Sequence, residues 1–456
     1  MEYEYKRKNY YEEADEKELK AIFDYAEGYK HFLNNSKTER EAVASAKVLA
    51  EKHGYKPYTF GDKIKAGDKL YFINRDKNIF IMRIGEKDIA KHGIKIMAAH
   101  VDSPRLDLKP NPLFVDDGVA YLKTHYYGGI KKYQWVTIPL ALHGAVVLKG
   151  GKKVDVCVGE DENDPIFYIS DILPHLSQTQ NTKPIVSAID PENLNAVLST
   201  IPMKGEEKDN AIKAKALKLL HDKYGIEEED FITAELCFVP AGKARDVGLD
   251  RSLISAYGHD DKVCAYPEMT ALFESNTKDT VIAVFADKEE TGSDGTTGMQ
   301  SMVILDLINC ISRELGADPV VVRYHSKCAS ADVTSVYDPA FAELFEKRNV
   351  SHINCGASVT KYHGSRGKNS TNDASAEVVG YLRDALDGAG VIWQTGELGR
   401  MDIGGGGTVA MYISKLGIDT CDIGVPVLAM HAPHEVISKA DLYSMHKAMV
   451  AFCEKN

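Results

Sequence analysis

Apolar residues recur along this chain with two different periods. Residues 11–33 and 38–53 carry them three and four positions apart with charged residues between, which predicts two amphipathic helices. KLYFINR and NIFIMRIG, parted by a polar turn, predict a β-hairpin. GIKIMAAHVDS (93–103) is a continuous apolar run that stops abruptly at polar residues, the pattern of a strand buried on both faces. From about 111 to 235 the texture changes. VTIPLALHGAVVLKGGKKVDVCVGE alternates, with Val154, Val156 and Val158 on one face, and a helix follows at 209–223. From about 248 helices alternate with short apolar strands. Helices are predicted at 262–275, 298–314, 338–348, 372–387 and 437–453, and strands at 280–286, 320–325, 390–394 and 420–424. This alternation predicts an α/β sandwich with a mostly parallel central sheet. It spans 1–110 and 240–456 and is interrupted by a β-rich inserted domain at 111–239.

With 456 residues the chain is long enough for two domains. The formal net charge of -12 argues against nucleic acid or an anionic membrane as partner through the overall field. No apolar run reaches the ~18 residues of a membrane span. The polar opening MEYEYKRKNYYEEADEKEL does not read as a signal peptide. The eight cysteines are scattered without a CxxC, so a disulfide framework or thiolate metal site is not expected, and a cytoplasmic location is.

Acidic residues and histidines gather just past the apolar runs. MAAHVDSP supplies His100 and Asp102, AYGHDDKV supplies His259, Asp260 and Asp261, and VFADKEETGS supplies Glu289 and Glu290. HSKCASADVT adds Asp332, and VLAMHAPHE adds His431 and His434. A parallel sheet brings such strand ends to one edge. Imidazole and carboxylate ligands without thiolates suit Zn²⁺, Mn²⁺ or Co²⁺. Taken singly each motif has an ordinary explanation, such as a core histidine, a helix N-cap or a solvated charge run. Five of them in one α/β frame point to a metal centre. Neighbouring glutamates at the end of a strand would face opposite sides and so do different work.

The order AAHVDSPRLDLKP, GHDDKV, DKEETGS, SAD and MHAPHE resembles the aspartyl aminopeptidases, the aminopeptidase I family of co-catalytic zinc exopeptidases, over essentially the whole chain. The resemblance implies a catalytic α/β domain interrupted by a dimerisation domain, and assembly into a tetrahedral homododecamer. It implies two divalent ions, first of all Zn²⁺. Asp260 would bridge them, His100 and Asp332 would complete one site, and Glu290 and His431 the other. Asp102 would hold the far nitrogen of His100, and Glu289 would act as general base and acid. Three carboxylates and a hydroxide would balance the four positive charges of the ions. The substrate implied is a peptide with a free N-terminus.

Other family features fall on His175 in ILPHLSQ, which would reach a neighbouring subunit's active site, and on Lys361, which would meet an acidic substrate side chain. Gly405 and Gly406 in GRMDIGGGGT would bring backbone N–H groups close to substrate. Relatives carry RLDN where this chain has Gly258-His259-Asp260-Asp261, and the resemblance implies a cis peptide after Asp260. Two other readings compete: an N-acyl amino acid hydrolase or carboxypeptidase of the same fold, and a non-enzymatic peptide-binding assembly. The second would be expected to lack ligand residues, and all are present.

Overall fold

The continuous apolar runs and the alternating ones end in different sheets. The computed structural model describes residues 3–205, 208–364 and 366–456. The chain divides into two units. One comprises the chain up to Asp102, Ala244–Met430 and Glu435–Asn456; the other comprises Ser103–Lys243 with His431–His434.

The first unit is built on a nine-stranded sheet. Its order is Lys56–Pro57, Lys69–Asn74, Asn78–Arg83, Thr280–Ala286, Ile94–His100, Lys327–Ala331, Asp419–Gly424, Ala357–Thr360 and Trp393–Thr395. The four strands from Thr280–Ala286 to Asp419–Gly424 run parallel to one another. Ile94–His100 and Thr280–Ala286 are buried at every position. Alternate residues feed opposite layers, as the two-residue period requires. Met97, Ala99, Val281, Ala283 and Phe285 pack with the helices Glu16–Asn34, Glu39–Lys52, His259–Glu274, Ala376–Gly388 and Lys439–Glu454. Ile94, Ile96, Ala98, Ile282 and Val284 pack with Val303–Glu314, Pro319–His325 and Ala410–Ser414. Each large apolar side chain so buried contributes about 1.5–3 kcal/mol. Thr38 and Glu41 start one helix with a reciprocal capping box. A five-stranded sheet in the same unit places Glu435–Ser438 between Leu253–Ala256 and Pro426–Leu428.

Two sequence expectations are corrected here. Residues 320–325 were expected as a strand, from the run of valines, but Pro319–His325 is a helix. Asp318 accepts a hydrogen bond from the Val320 N–H and Pro319 occupies the first turn, a start signal that outweighs β-branching. The strand lies just beyond, at Lys327–Ala331. The helix expected at 338–348 is only a short 3₁₀ segment, Pro339–Leu344, with Phe341 off helical geometry.

The second unit has a six-stranded antiparallel sheet in the order Lys153–Val158, Leu140–Val147, Ala234–Pro240, Arg105–Asp116, Val119–Tyr127 and Asn195–Ser199. In the strand Lys153–Val158 the burial alternates, with Val156 and Val158 inward and Lys153, Asp155 and Cys157 outward. The helix Lys208–Tyr224 packs on this sheet. Among the described residues no helix is long and apolar enough to cross a membrane.

Candidate active site

The parallel strands of the first unit bring their carboxyl ends together. His100 ends one strand and pairs with Ala286, the last residue of its neighbour; on the other side Ala98 pairs with Ser330, two residues before Asp332. Asp260 comes from the first turn of His259–Glu274, which begins after Gly258 in a left-handed conformation (φ 77°). The Asp260-Asp261 peptide is cis. Gly424 faces Asp332 so closely that a methyl group there would lie 1.7 Å from the Asp332 carbonyl oxygen.

His100 Nε2 is 3.1 Å from Asp260 Oδ1 and 3.9 Å from Asp332 Oδ1. Ligand atoms of these three residues all lie within 4.8 Å of one another. On the other side of the ring, Nδ1 is 3.0 Å from the Asp102 carbonyl oxygen and 3.4 Å from its carboxylate. Burial opposes a charge on this imidazole, but hydrogen bonds to Asp102 and Asp260 outweigh it and raise its pKa well above the ordinary value. Burial also pushes the Asp332 carboxyl well up, reinforced by Asp261, Glu289 and Asp260. One ring nitrogen and two carboxylates converging on a point form the donor set of a divalent ion. These residues fit such an ion.

The Asp102 carboxylate accepts hydrogen bonds from two consecutive amides, Glu289 N–H at Oδ1 and Glu290 N–H at Oδ2, each at 3.2 Å. The expected reason for the two glutamates to diverge is corrected. The strand ends at Ala286, and Glu289–Thr291 form a single 3₁₀ turn between Lys288 (φ 68°) and Gly292 (φ 96°). Three residues per turn, rather than strand alternation, aim neighbouring side chains apart. Carboxylate oxygens of Glu290 and Asp260 lie within 4.8 Å of one another.

His431 belongs to the second unit. Its Nδ1 is 2.8 Å from the Gly129 carbonyl oxygen, which makes Nε2 the lone-pair nitrogen. His175 is exposed in the short turn Pro174–Leu176. Lys361 is exposed at the start of a long loop, its carbonyl accepting the Ala374 N–H at 2.8 Å. Gly406 meets the same loop through its carbonyl, bonded to Gly364 N–H at 2.8 Å. Gly405 lines a cavity of about 430 Å³ together with Tyr362, Arg366, Glu397 and Asp402.

Three residues around Asp260 escaped the sequence reading. Glu435, 1% exposed, accepts the Asp260 N–H at 3.1 Å. Tyr29 places its hydroxyl 2.8 Å from His259 Nδ1, while His259 Nε2 is 3.1 Å from the Ile254 carbonyl oxygen. Lys262 is fully buried, which lowers its pKa to about 8 against the opposing pull of Asp102, Glu435 and Asp260. Lys262 in GHDDKV and Glu435 at the end of MHAPHE each stand among other charged or polar residues, so nothing along the chain signals their burial.

Residues 32–453 match the family described as Aminopeptidase I zinc metalloprotease (M18). A probable M18 family aminopeptidase 1 of Clostridium acetobutylicum is 46% identical over 454 residues, covering 98% of this chain and 97% of its own. The crystal structure of an M18 family aminopeptidase from Thermotoga maritima superposes with a TM-score of 0.94 at 40% identity, over 99% of this chain and 100% of that one. A more distant structure, the S. cerevisiae mApe1 dodecamer, shares the fold with a TM-score of 0.77 at 19% identity, covering 94% of this chain and 96% of its own.

Proposed function

The chain belongs to the aminopeptidase I (M18) family of zinc metalloproteases, and from that membership we propose that it removes N-terminal residues from peptides at a dinuclear centre. The observation that carries this is the convergence of His100, Asp260 and Asp332, with Glu290 beside Asp260. On this reading Asp260 would serve both ions, His100 and Asp332 would hold one, and Glu290 and His431 would hold the other. Two divalent ions, when bound, supply polarisation of the scissile carbonyl and acidification of water.

The remaining chemistry belongs to the chain. Glu289, held by its amide to Asp102, takes the proton of the attacking water and delivers it to the departing amine nitrogen as the C–N bond breaks. Asp102 fixes the His100 tautomer and the Glu289–Glu290 turn together. The substrate's free α-amine confines cleavage to the N-terminus. Gly405 and Gly406 keep backbone close to the substrate, and Lys361 meets an acidic side chain, which gives a preference for acidic N-terminal residues. The active assembly is a homo-oligomer, a tetrahedral dodecamer, in which His175 of the partner subunit reaches the site. Unit 2 serves as the dimerisation domain, a role that suits its exposed Leu176, Ile185 and Val186.

The test is activity of metal-stripped protein, reconstituted with Zn²⁺, Mn²⁺ or Co²⁺ in turn, on aminoacyl p-nitroanilides spanning acidic, basic and apolar residues. Hydrolysis that returns at two ions per chain and is fastest for Asp or Glu is the expected result. Turnover of N-acyl substrates alone would overturn the aminopeptidase assignment.

A further inference from the structure

We propose that Glu435 is a positioning residue that sets the backbone of Asp260 for ion binding. The inference rests on the reading of Asp260 as a ligand and adds a residue to it. Three observations converge. First, the Glu435 carboxylate accepts the Asp260 N–H at 3.1 Å. Asp260 stands at the start of the helix but is itself off helical geometry (φ -74°, ψ 108°), so its N–H has no acceptor within the helix. Any neutral acceptor would serve that need. A carboxylate makes a charge-assisted bond about twice as strong, and at 1% exposure it does so out of reach of water.

Second, Glu435 does not sit on a loose loop. It opens the strand Glu435–Ser438 and pairs with Ala256 in the antiparallel ladder to Leu253–Ala256. Ala256 is two residues before Gly258, so the ladder brings the carboxylate to the point where the chain turns into the helix. A group carried by a sheet is held more closely than one carried by a loop. Third, the residue before Asp260 is pinned as well: His259 is held between the Tyr29 hydroxyl and the Ile254 carbonyl oxygen at 2.8 and 3.1 Å. With both neighbouring points fixed, the Asp260 carboxylate is presented in one orientation before any ion arrives. Along the chain Glu435 also stands four residues after His431, so one strand start adjoins the segment proposed to ligate the second ion.

The experiment measures Zn²⁺ affinity by chelator competition, with the unfolding midpoint of metal-free protein and kcat and KM in parallel, on the full chain. Glu435→Ala is expected to bind Zn²⁺ about 10–100-fold more weakly, the usual effect of losing a partner that orients a ligand. Its kcat should fall with KM little changed, and its metal-free midpoint should stay near wild type. Glu435→Gln retains an acceptor oxygen at the same reach and should recover most of the affinity. Glu435→Asp withdraws the carboxylate by one methylene and should behave like the alanine variant. If Glu435→Ala does not fold, the ordering of Gln above Asp decides. Wild-type affinity in the Ala or Asp variant, or equal loss in Gln and Asp, overturns the inference. A wild-type protein that takes up no Zn²⁺, or an Asp260→Ala variant that keeps full affinity, would instead overturn the assignment of Asp260 and leave Glu435 unjudged only because its premise had failed.

Discussion

The two sheets of this chain solve opposite problems. In the first unit the strands Ile94–His100 and Thr280–Ala286 are buried at every position, so their side chains short of the carboxyl end are committed to the core. The functional groups are displaced to the carboxyl ends, where His100, Asp102, Glu289, Glu290 and Asp332 emerge within a few residues of a strand. In the second unit the alternating strand Lys153–Val158 keeps one side outward, and short segments of the same unit expose Leu176 (68%), Ile185 (66%) and Val186 (73%). A sheet closed on both faces concentrates chemistry at one edge. A sheet with an open side spreads apolar surface, which is suited to meeting another surface.

That contrast is broken most severely at the edge itself. Glu289→Gln is expected to lower kcat by about 10²–10⁴-fold, the range for losing a general base. The variant should still bind ions, since Glu290 and not Glu289 is the proposed ligand; metal content measured beside the rate checks it. A mutant that lost metal along with activity would merge the two roles again.

Within the buried body of the first unit, the sharpest test is Asp246. Its carboxylate lies 2.9 Å from Lys30, 2.9 Å from Lys439 and 2.8 Å from Arg251, and the Lys439 side chain is 1% exposed. Asp246→Ala strands a buried ammonium and should destabilise by about 3 kcal/mol, read as a lower midpoint in denaturant. Burial works against the Asp246 carboxylate, but the three cations outweigh it and hold its pKa below the ordinary value. A depressed folded-state pKa gives stability that is present above the unfolded value and lost as pH falls toward the folded one. The wild type should therefore lose stability on acidification below about pH 4, and the Ala variant should lose less. An acid profile shared by both would remove Asp246 from the account.

The mildest intervention is in the second unit. Ile185→Glu replaces a side chain that is 66% exposed, so the folding stability of a single chain should change by no more than ~0.5 kcal/mol. If this surface meets another copy, light scattering should show a smaller assembly at the same concentration. An unchanged mass would make it ordinary exterior.

Much of this architecture can be read along the chain. The strand expected at 280–286 is Thr280–Ala286, because six apolar residues running straight into charge admit few other structures. The site could be assembled from motifs because each of its residues follows such a run. What failed was local competition. The valines of 320–325 look like a strand until the Asp318-Pro319 start signal is weighed above them. Glu289 and Glu290 were read as strand residues because nothing in KEETG announces that Lys288 turns left-handed. Glu435 was invisible for a different reason. Its partner is a backbone amide 175 residues away, and a hydrogen bond to backbone leaves no mark on the identity of the residue it serves.

The Asp102 carboxylate acts as a ruler. Its two oxygens grip consecutive amides, while the same residue's carbonyl receives His100. The distance between the strand that ends at His100 and the turn that carries the glutamates is thereby set in whole residues. Between the left-handed Lys288 and Gly292 the turn keeps that measure only at its present length. Deleting one residue ahead of the turn would bring Glu290 to the place of Glu289, and adding one would bring Lys288 there, so the wrong amide would meet each oxygen. Length in this segment is therefore as strict a constraint as composition, and insertions in this lineage are expected to accumulate elsewhere on the surface.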